Sequence, residues 1–252
     1  GIAKDRVEGA KWIKKSSDLG NKSGQSKMAD LYRHAVGVKR DFAKAVVLHK
    51  ILAEKGDEVS MNNLGSIYYN GKGNVKQDYK LAAKYFQMHI DHGYNKNLII
   101  LGIMYREGEG VEQDIEKTLK LQERALKEGQ ISAYEQLGHL YHSDRYGKKD
   151  LEKSIGYYIK GADLGNKVAQ NSLANAYLKG EGVPQNTEAA IKLYRLAAKQ
   201  NFSYSQFSLG KIYEEGNDEI KIDLAKATKL YQAAAKQGYQ PAIEALTKIK
   251  EK

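Results

Sequence analysis

Three sets of residues along this chain could do chemistry. Glu135, His139 and His142 stand at i, i+4 and i+7, so a helix would bring one carboxylate and two imidazoles to a single face, a donor set that suits zinc. Gly71-x-Gly73, Gly108-x-Gly110 and Gly180-x-Gly182 could cradle a phosphate on backbone N–H groups. Eighteen tyrosines in a chain of net charge +10 and pI near 9.3 could stack nucleic-acid bases.

Each set has a plainer reading. The histidines form no His-Glu-x-x-His motif, and His89 with His92 does no better. The glycine loops lack the preceding strand and the following Lys-Ser or Lys-Thr that a phosphate loop needs. The acid pairs Glu214–Glu215 and Asp218–Glu219 sit beyond a helix end, where solvated carboxylates are routine, and no serine stands in a Gly-x-Ser-x-Gly elbow. With no cysteine, disulfides, thiolate metal sites and cysteine nucleophiles drop out together. No catalytic residue, metal ion or cofactor is expected.

The elements that must position these residues come from a repeat. Leu64-Gly65-x-x-Tyr68 returns as Leu101-Gly102-x-x-Tyr105, Leu137-Gly138-x-x-Tyr141, Leu173-Ala174-x-x-Tyr177 and Leu209-Gly210-x-x-Tyr213, with a worn copy at Met28-Ala29-x-x-Tyr32. The steps are 36 or 37 residues. Asp5, Asp41, Asp78, Asp114, Asp150, Asn186 and Asp223 keep the same phase, and so do Gly20, Gly56, Gly93, Gly129, Gly165, Asn201 and Gly238. Asp is a preferred N-cap and Gly a preferred helix stop, so one helix is expected from each Asp to each Gly. The other helix of each unit carries Leu-Gly-x-x-Tyr. Glycine within a helix costs roughly 1 kcal/mol against alanine, so its return implies close packing, and the companions Gly9, Ala45, Ala82, Thr118, Ser154, Ala190 and Ala227 are small too. On this reading the Gly-x-Gly segments are turns between the two helices of one unit. The tyrosines fixed by the period belong to the repeat core, which leaves few to stack bases, so nucleic acid is not an expected partner.

The composition agrees with an all-α chain. Two prolines in 252 residues, with abundant Lys, Glu, Ala and Leu, favour helices, and no segment reads as strand. No apolar run is long enough to cross a membrane as a helix. Residues 1 to 55 hold 13 Lys or Arg against 6 Asp or Glu, so +7 of the excess lies in the first fifth, which favours an acidic partner.

The pattern A-x-x-x-L-G-x-x-Y-x-x-G-x-G-V-x-x-D-x-x-K-A, then A-A-x-x-G, resembles the Sel-one-like repeat (SLR), a relative of the tetratricopeptide repeat. It is fullest in Ala169 to Asn201 and Asn97 to Gly129, and it covers essentially the whole chain. Departures are the segment Ser143-Asp144-Arg145-Tyr146 in place of loop glycines, Gln122 where Tyr or Phe is usual, and an extra residue near Asn74 and near Glu219. The resemblance implies a right-handed α-solenoid of stacked antiparallel helical hairpins forming a single domain over 1–252. Residues 1–20 supply the second helix of a truncated repeat, 21–56, 57–93, 94–129, 130–165, 166–201 and 202–238 are repeats, and 239–252 is a capping helix. The chain opens at Gly1 in mid-repeat, which leaves room for further repeats or a removed leader upstream.

The resemblance further implies a non-enzymatic, monomeric scaffold or adaptor that takes a protein partner in a concave groove, in a bacterial periplasmic or secreted setting. An inhibitor or immunity partner of a secreted toxin or envelope enzyme is the alternative. Mapped by analogy with the tetratricopeptide hairpin, the groove residues are Asp30, Arg33 and His34; Asn62, Ser66, Tyr69 and Asn70; Ile99, Ile103 and Arg106; Glu135, His139 and His142; Asn171, Asn175 and Lys179; and Phe207, Lys211 and Glu214. Ile99 and Ile103 are out of pattern. They stand where the preceding repeat has Asn62 and Ser66 and the following one has Glu135 and His139, so an apolar anchor beside Tyr69 and Arg106 is expected there.

Overall fold

The computed structural model describes residues 2–216 and 220–250, all helix and loop with no strand among them. The extra residue near Glu219 and the acid pair Asp218–Glu219 lie outside the described residues. Two compact units meet at Glu128 and Gly129. The first holds α1 (Ile2–Asp18), α2 (Lys22–His34), α3 (Phe42–Ala53), α4 (Glu58–Asn70), α5 (Tyr79–Asp91), α6 (Leu98–Glu107) and α7 (Ile115–Lys127). The second holds α8 (Ser132–His142), a 3-10 turn at Asp144–Tyr146, α9 (Leu151–Asp163), α10 (Lys167–Lys179), α11 (Thr187–Lys199), α12 (Ser203–Glu215), α13 (Leu224–Ala235) and α14 (Gln240–Lys250). Within each unit every helix packs on the next, so α4 pairs with α5 and α10 with α11 as hairpins.

The caps fall where the period puts them. Asp41, Asp78, Asp114, Asp150, Asn186 and Asp223 have extended or near-extended backbone and accept the N–H three residues on, which satisfies a free donor of the first turn. Each cap residue also donates its own N–H to the carbonyl of the repeat tyrosine nine or ten residues earlier, at 2.8–2.9 Å. That bond closes the loop between the two helices. Asp5 departs from the series: α1 starts at Ile2 and runs through it. Asp5 is therefore a first-turn acid and not an N-cap. At the other end, Asn201 adopts φ +58°, the left-handed geometry that glycine supplies in the remaining repeats.

The helical glycine has a different partner from the one its spacing suggests. A Cβ on Gly65 or Gly138 would run into the ring of Phe86 or Tyr158, and one on Gly210 would lie 2.6 Å from Tyr231 Cε1. The slot is thus filled by a ring from the second helix, and the small companion sits alongside. Ser154 and Thr118 use their hydroxyls there, donating to the carbonyls of Gly138 at 2.8 Å and Gly102 at 3.0 Å. The same register holds Gln122 opposite Gly102, Tyr194 opposite Ala174 and His49 opposite Ala29. Tyr158, Tyr194, Tyr231 and Phe86 rank among the largest fully buried side chains. At the start of the chain, Trp12 is 64% exposed on α1 with Lys15 Nζ 5.7 Å from its ring centroid.

Rigid rings and flexible amides should respond differently to a filled slot. Gly138→Ala displaces the Tyr158 ring and is expected to destabilise by about 1–3 kcal/mol as an overpacking change. Gly102→Ala meets only the end of Gln122 and should lose clearly less, which paired denaturant titrations would read; equal losses would reject the ring-slot account.

Candidate functional site

None of the groove residues is buried, whereas the leucines and glycines between them are. In the first unit the face is carried by α2, α4 and α6; in the second it is carried by α8, α10 and α12. Ile99 and Ile103 are half-buried, as are Asn62 and Ser66 in the same register of the preceding repeat.

In the second unit the rings that fill the glycine slots pass through the hairpin and reach this face with their hydroxyls. Tyr158 Oη lies 3.1 Å from His139 Nδ1, Tyr194 donates to Asn175 Oδ1 at 2.5 Å, and Tyr231 donates to Glu214 Oε2 at 2.8 Å. Burial pushes the phenols of Tyr158 and Tyr194 up to about 12, so they remain protonated. Asn171 is held as well, accepting from Ser205 at 2.8 Å. Phe207, Lys211 and Glu214 come together on one wall of a cleft of about 610 Å³ that α14 completes with Glu244 and Lys248. Lys179 and Glu181 pair at 3.6 Å.

The first unit is arranged otherwise. Phe86 carries no hydroxyl, and Gln122 donates instead to the backbone carbonyl of Ile99 at 3.2 Å. Tyr69 reaches forward one repeat and donates to Glu109 at 3.1 Å; burial and the Glu109 charge push its phenol up to about 12. Arg106 lies 2.8 Å from Glu107, and Asn70 folds back on the Ser66 carbonyl at 2.8 Å. Arg33 pairs with Asp30 at 3.2 Å, and Arg33, His34 and Ser66 line one cleft. The cleft also takes in Arg40 and Lys72, which the groove mapping omits because they sit in loops. Their signal in the sequence is a break in the repeat pattern, not a helical register.

Glu135, His139 and His142 share a helix face but turn to different partners. Burial holds the Glu135 carboxyl above its ordinary range against hydrogen bonds from Asn166 and Gln136. His139 meets Tyr158, and His142 Nε2 lies 3.5 Å from Glu181. Among the described residues no three His, Asp or Glu side chains could hold a common metal ion. Nor are the repeat tyrosines open platforms. Tyr68 and Tyr213 are buried, and Lys117, Lys153 and Lys226 lie over Tyr105, Tyr141 and Tyr213 at 4.9, 5.4 and 5.3 Å from the ring centroids. No helix among the described residues is long and apolar enough to cross a membrane.

Capped hairpins at a 36- or 37-residue period, most with a ring seated in a first-helix slot, define an all-α repeat protein. The chain belongs to the Sel1 repeat family, whose pattern matches residues 1–21, 22–57, 59–94, 98–130, 131–166, 167–202 and 203–239. Proteins of this family are generally non-catalytic scaffolds for protein interaction. A Sel1 repeat protein from Oxalobacter formigenes is 26% identical, with 92% of this chain and 94% of that one covered at a TM-score of 0.76. A protective antigen present in uropathogenic Escherichia coli strains is 30% identical over 96% of this chain and 51% of its own, at a TM-score of 0.73. An ERAD-associated E3 ubiquitin-protein ligase component of Arabidopsis thaliana is 30% identical over 100 residues, 39% of this chain and 15% of that protein. The chain thus spans about half of the antigen and a small part of the plant protein. An immunity protein from Pseudomonas aeruginosa, 20% identical over 88% of this chain and 83% of its own at a TM-score of 0.53, shares the fold.

His49 makes the groove's first repeat sensitive to acid. It is 1% exposed, bonds Ser60 Oγ at 3.0 Å, and is pushed down to about 4 by burial and then by the charge of Arg33. The folded imidazole is therefore neutral while the unfolded one titrates near 6.5, so its contribution is complete above pH 6.5 and is lost as pH falls toward 4. The loss should reach roughly 3 kcal/mol. His49→Gln, the residue type found in this register at Gln122, should remove that component; denaturant midpoints at neutral and acid pH would then differ less in the variant. An unchanged difference would refute the assignment. Burial also holds His89 down, and it titrates in both proteins.

Proposed function

We propose that this chain is a non-enzymatic scaffold that holds a protein partner against the exposed face of its first helices, with Ile99 and Ile103 as the apolar anchor in the first unit. The observation that carries this reading is the pair itself. Two isoleucines lie half-buried where the preceding repeat presents Asn62 and Ser66, and no polar contact explains the exchange. Tyr69, tethered to Glu109, and Arg106 flank them in sequence register, and these are residue types that dominate interface hot spots. Asn62 and Asn70 supply the polar surround. The excess of 13 basic over 6 acidic residues in 1–55 makes an acidic partner the better match. Likeness to repeat proteins of Oxalobacter formigenes and Escherichia coli supports a bacterial setting.

Affinity capture from the native source, followed by mass spectrometry, would name the partner, and a binding titration with the purified pair would test the anchor. Ile99→Asp with Ile103→Asn is expected to weaken binding by about a hundredfold or more. The melting temperature should stay within a few degrees, because neither side chain is part of the buried core. A collapse of stability in the double variant would show the isoleucines to be core residues.

A further inference from the structure

Lys72 breaks a pattern that two later repeats keep. The matching loops read Gly108-Glu109-Gly110 and Gly180-Glu181-Gly182, whereas this one reads Gly71-Lys72-Gly73. Those glutamates join neighbouring repeats. Glu109 accepts from the Tyr69 hydroxyl of the repeat before it, and Glu181 lies 3.5 Å from His142 of the repeat before it. The residue in the register of Tyr69 and His142 that precedes Lys72 is Arg33. Here a cation is set against a cation, and the carboxylate found between repeats elsewhere is missing.

A third cation enters from the loop before α3. Its register holds Gln77, Gln113 and Gln185, whose amides donate to the carbonyls of Tyr69, Arg106 and Leu178 at 2.7, 2.6 and 2.9 Å. Arg40 replaces that glutamine and is exposed. Arg33, His34, Arg40 and Lys72 rim a cleft of about 300 Å³ with Phe42 and Ile67 in its wall. Arg33 donates to Asp30 through Nη1 at 3.2 Å while its Nε is buried with no hydrogen-bond partner, and among the described residues no acid pairs with Arg40 or Lys72. The wall is braced by the extra residue of this repeat. Asn74 accepts from the Ala43 N–H at 3.1 Å and donates to Asp41 at 3.2 Å, and Gly73 lies so close to Phe42 that a Cβ would sit 2.6 Å from its ring.

We propose that this cleft binds a carboxylate supplied by a protein partner, an acidic side chain that takes the place Glu109 and Glu181 hold in their two repeats. Two guanidinium groups and an ammonium suit a carboxylate's oxygens, and the apolar wall suits the short aliphatic stem that carries it. The proposal rests on the protein-binding reading above but uses a different set of side chains, so each can fail alone.

The test uses the full chain, isotope-labelled, with the arginine Nε–H signals followed by NMR at low salt. The probe is acetyl-Gly-Glu-Gly-amide, a copy of the internal loop, and acetyl-Gly-Gln-Gly-amide is its neutral control. The glutamate peptide should move the Arg33 and Arg40 signals to saturation, and the glutamine peptide should not. Lys72→Glu supplies the carboxylate from within and should weaken binding at least about tenfold. Lys229→Glu, the same charge change far along the sequence, should change it less than about twofold. Acetyl-Gly-Gln-Gly with a free terminal carboxylate tells the source: weaker binding than the glutamate peptide supports an acidic side chain, and equal or tighter binding would overturn that assignment in favour of a chain end. No saturable shift, equal shifts with the neutral control, equal losses in both lysine variants, or response to a phosphoserine peptide alone would each overturn the proposal.

Discussion

A side chain from the second helix must fit the space that the first helix leaves at its glycine, and most of the hairpin follows from that fit. Where the filler is an aromatic ring, the two helices are held at a distance that admits the ring and nothing more, so the neighbouring position is kept small. Ser154 then comes close enough to bond the glycine carbonyl, as Thr118 does where the filler is Gln122. The filler also sets what the outer face can offer. Tyrosine carries a hydroxyl through the hairpin and fixes His139, Asn175 or Glu214 from beneath, while Phe86 cannot, and Gln122 spends its amide on a backbone carbonyl. A change at one buried register thus decides whether the facing side chain is preorganised or free to repack, which links core packing to recognition.

The loop bond from each cap N–H to the repeat tyrosine's carbonyl is the second constraint. It makes loop length a matter of what lies before the closure. The repeat with the extra residue closes on the same pair of atoms, Asp78 and Tyr68 at 2.9 Å, and the added Asn74 turns back to cap the preceding repeat's helix. The 3-10 turn at Asp144–Tyr146 is another solution, with Gly147 at φ +63° bringing the chain round and Asp150 bonding Tyr141 as usual.

Most of the fold was legible because its marks are local. An aspartate caps whatever turn follows it, and a left-handed residue stops whatever helix precedes it, so period and residue type sufficed for α3, α5, α7, α9, α11 and α13. Asp5 was misread because residue type and phase alone do not fix the extended backbone that a cap needs, and α1 runs through it. The late start of α6 was illegible for a similar reason: Arg124 holds Asn95 at 2.7 Å, an interaction across 29 residues, and Tyr94 to Asn97 stay outside the helix. On the candidate site, spacing identified the exposed face, yet the tyrosine hydroxyls that pin it depend on side-chain reach through the hairpin. The exchange of Glu for Lys72 can be seen in the letters alone; that it removes a carboxylate reaching Arg33 from the next repeat, leaving it only Asp30 of its own helix, emerges only from the Tyr69–Glu109 and His142–Glu181 contacts.

The position of Trp12 bears on how this protein can be observed in solution. The chain has a single tryptophan, and it stands largely in water on the first helix, away from every glycine slot. Its surroundings are largely aqueous in the native state as well as in the unfolded one, so a fluorescence trace recorded at tryptophan wavelengths says little about the loss of the repeats that follow. The tyrosines carry the optical record of the core. Tyr68 with Tyr85 and Tyr141 with Tyr157 stack nearly parallel, at 6.0 and 5.8 Å between centroids, one pair in each unit. Near-ultraviolet circular dichroism therefore reports tertiary order in both halves of the chain, where the indole is nearly silent.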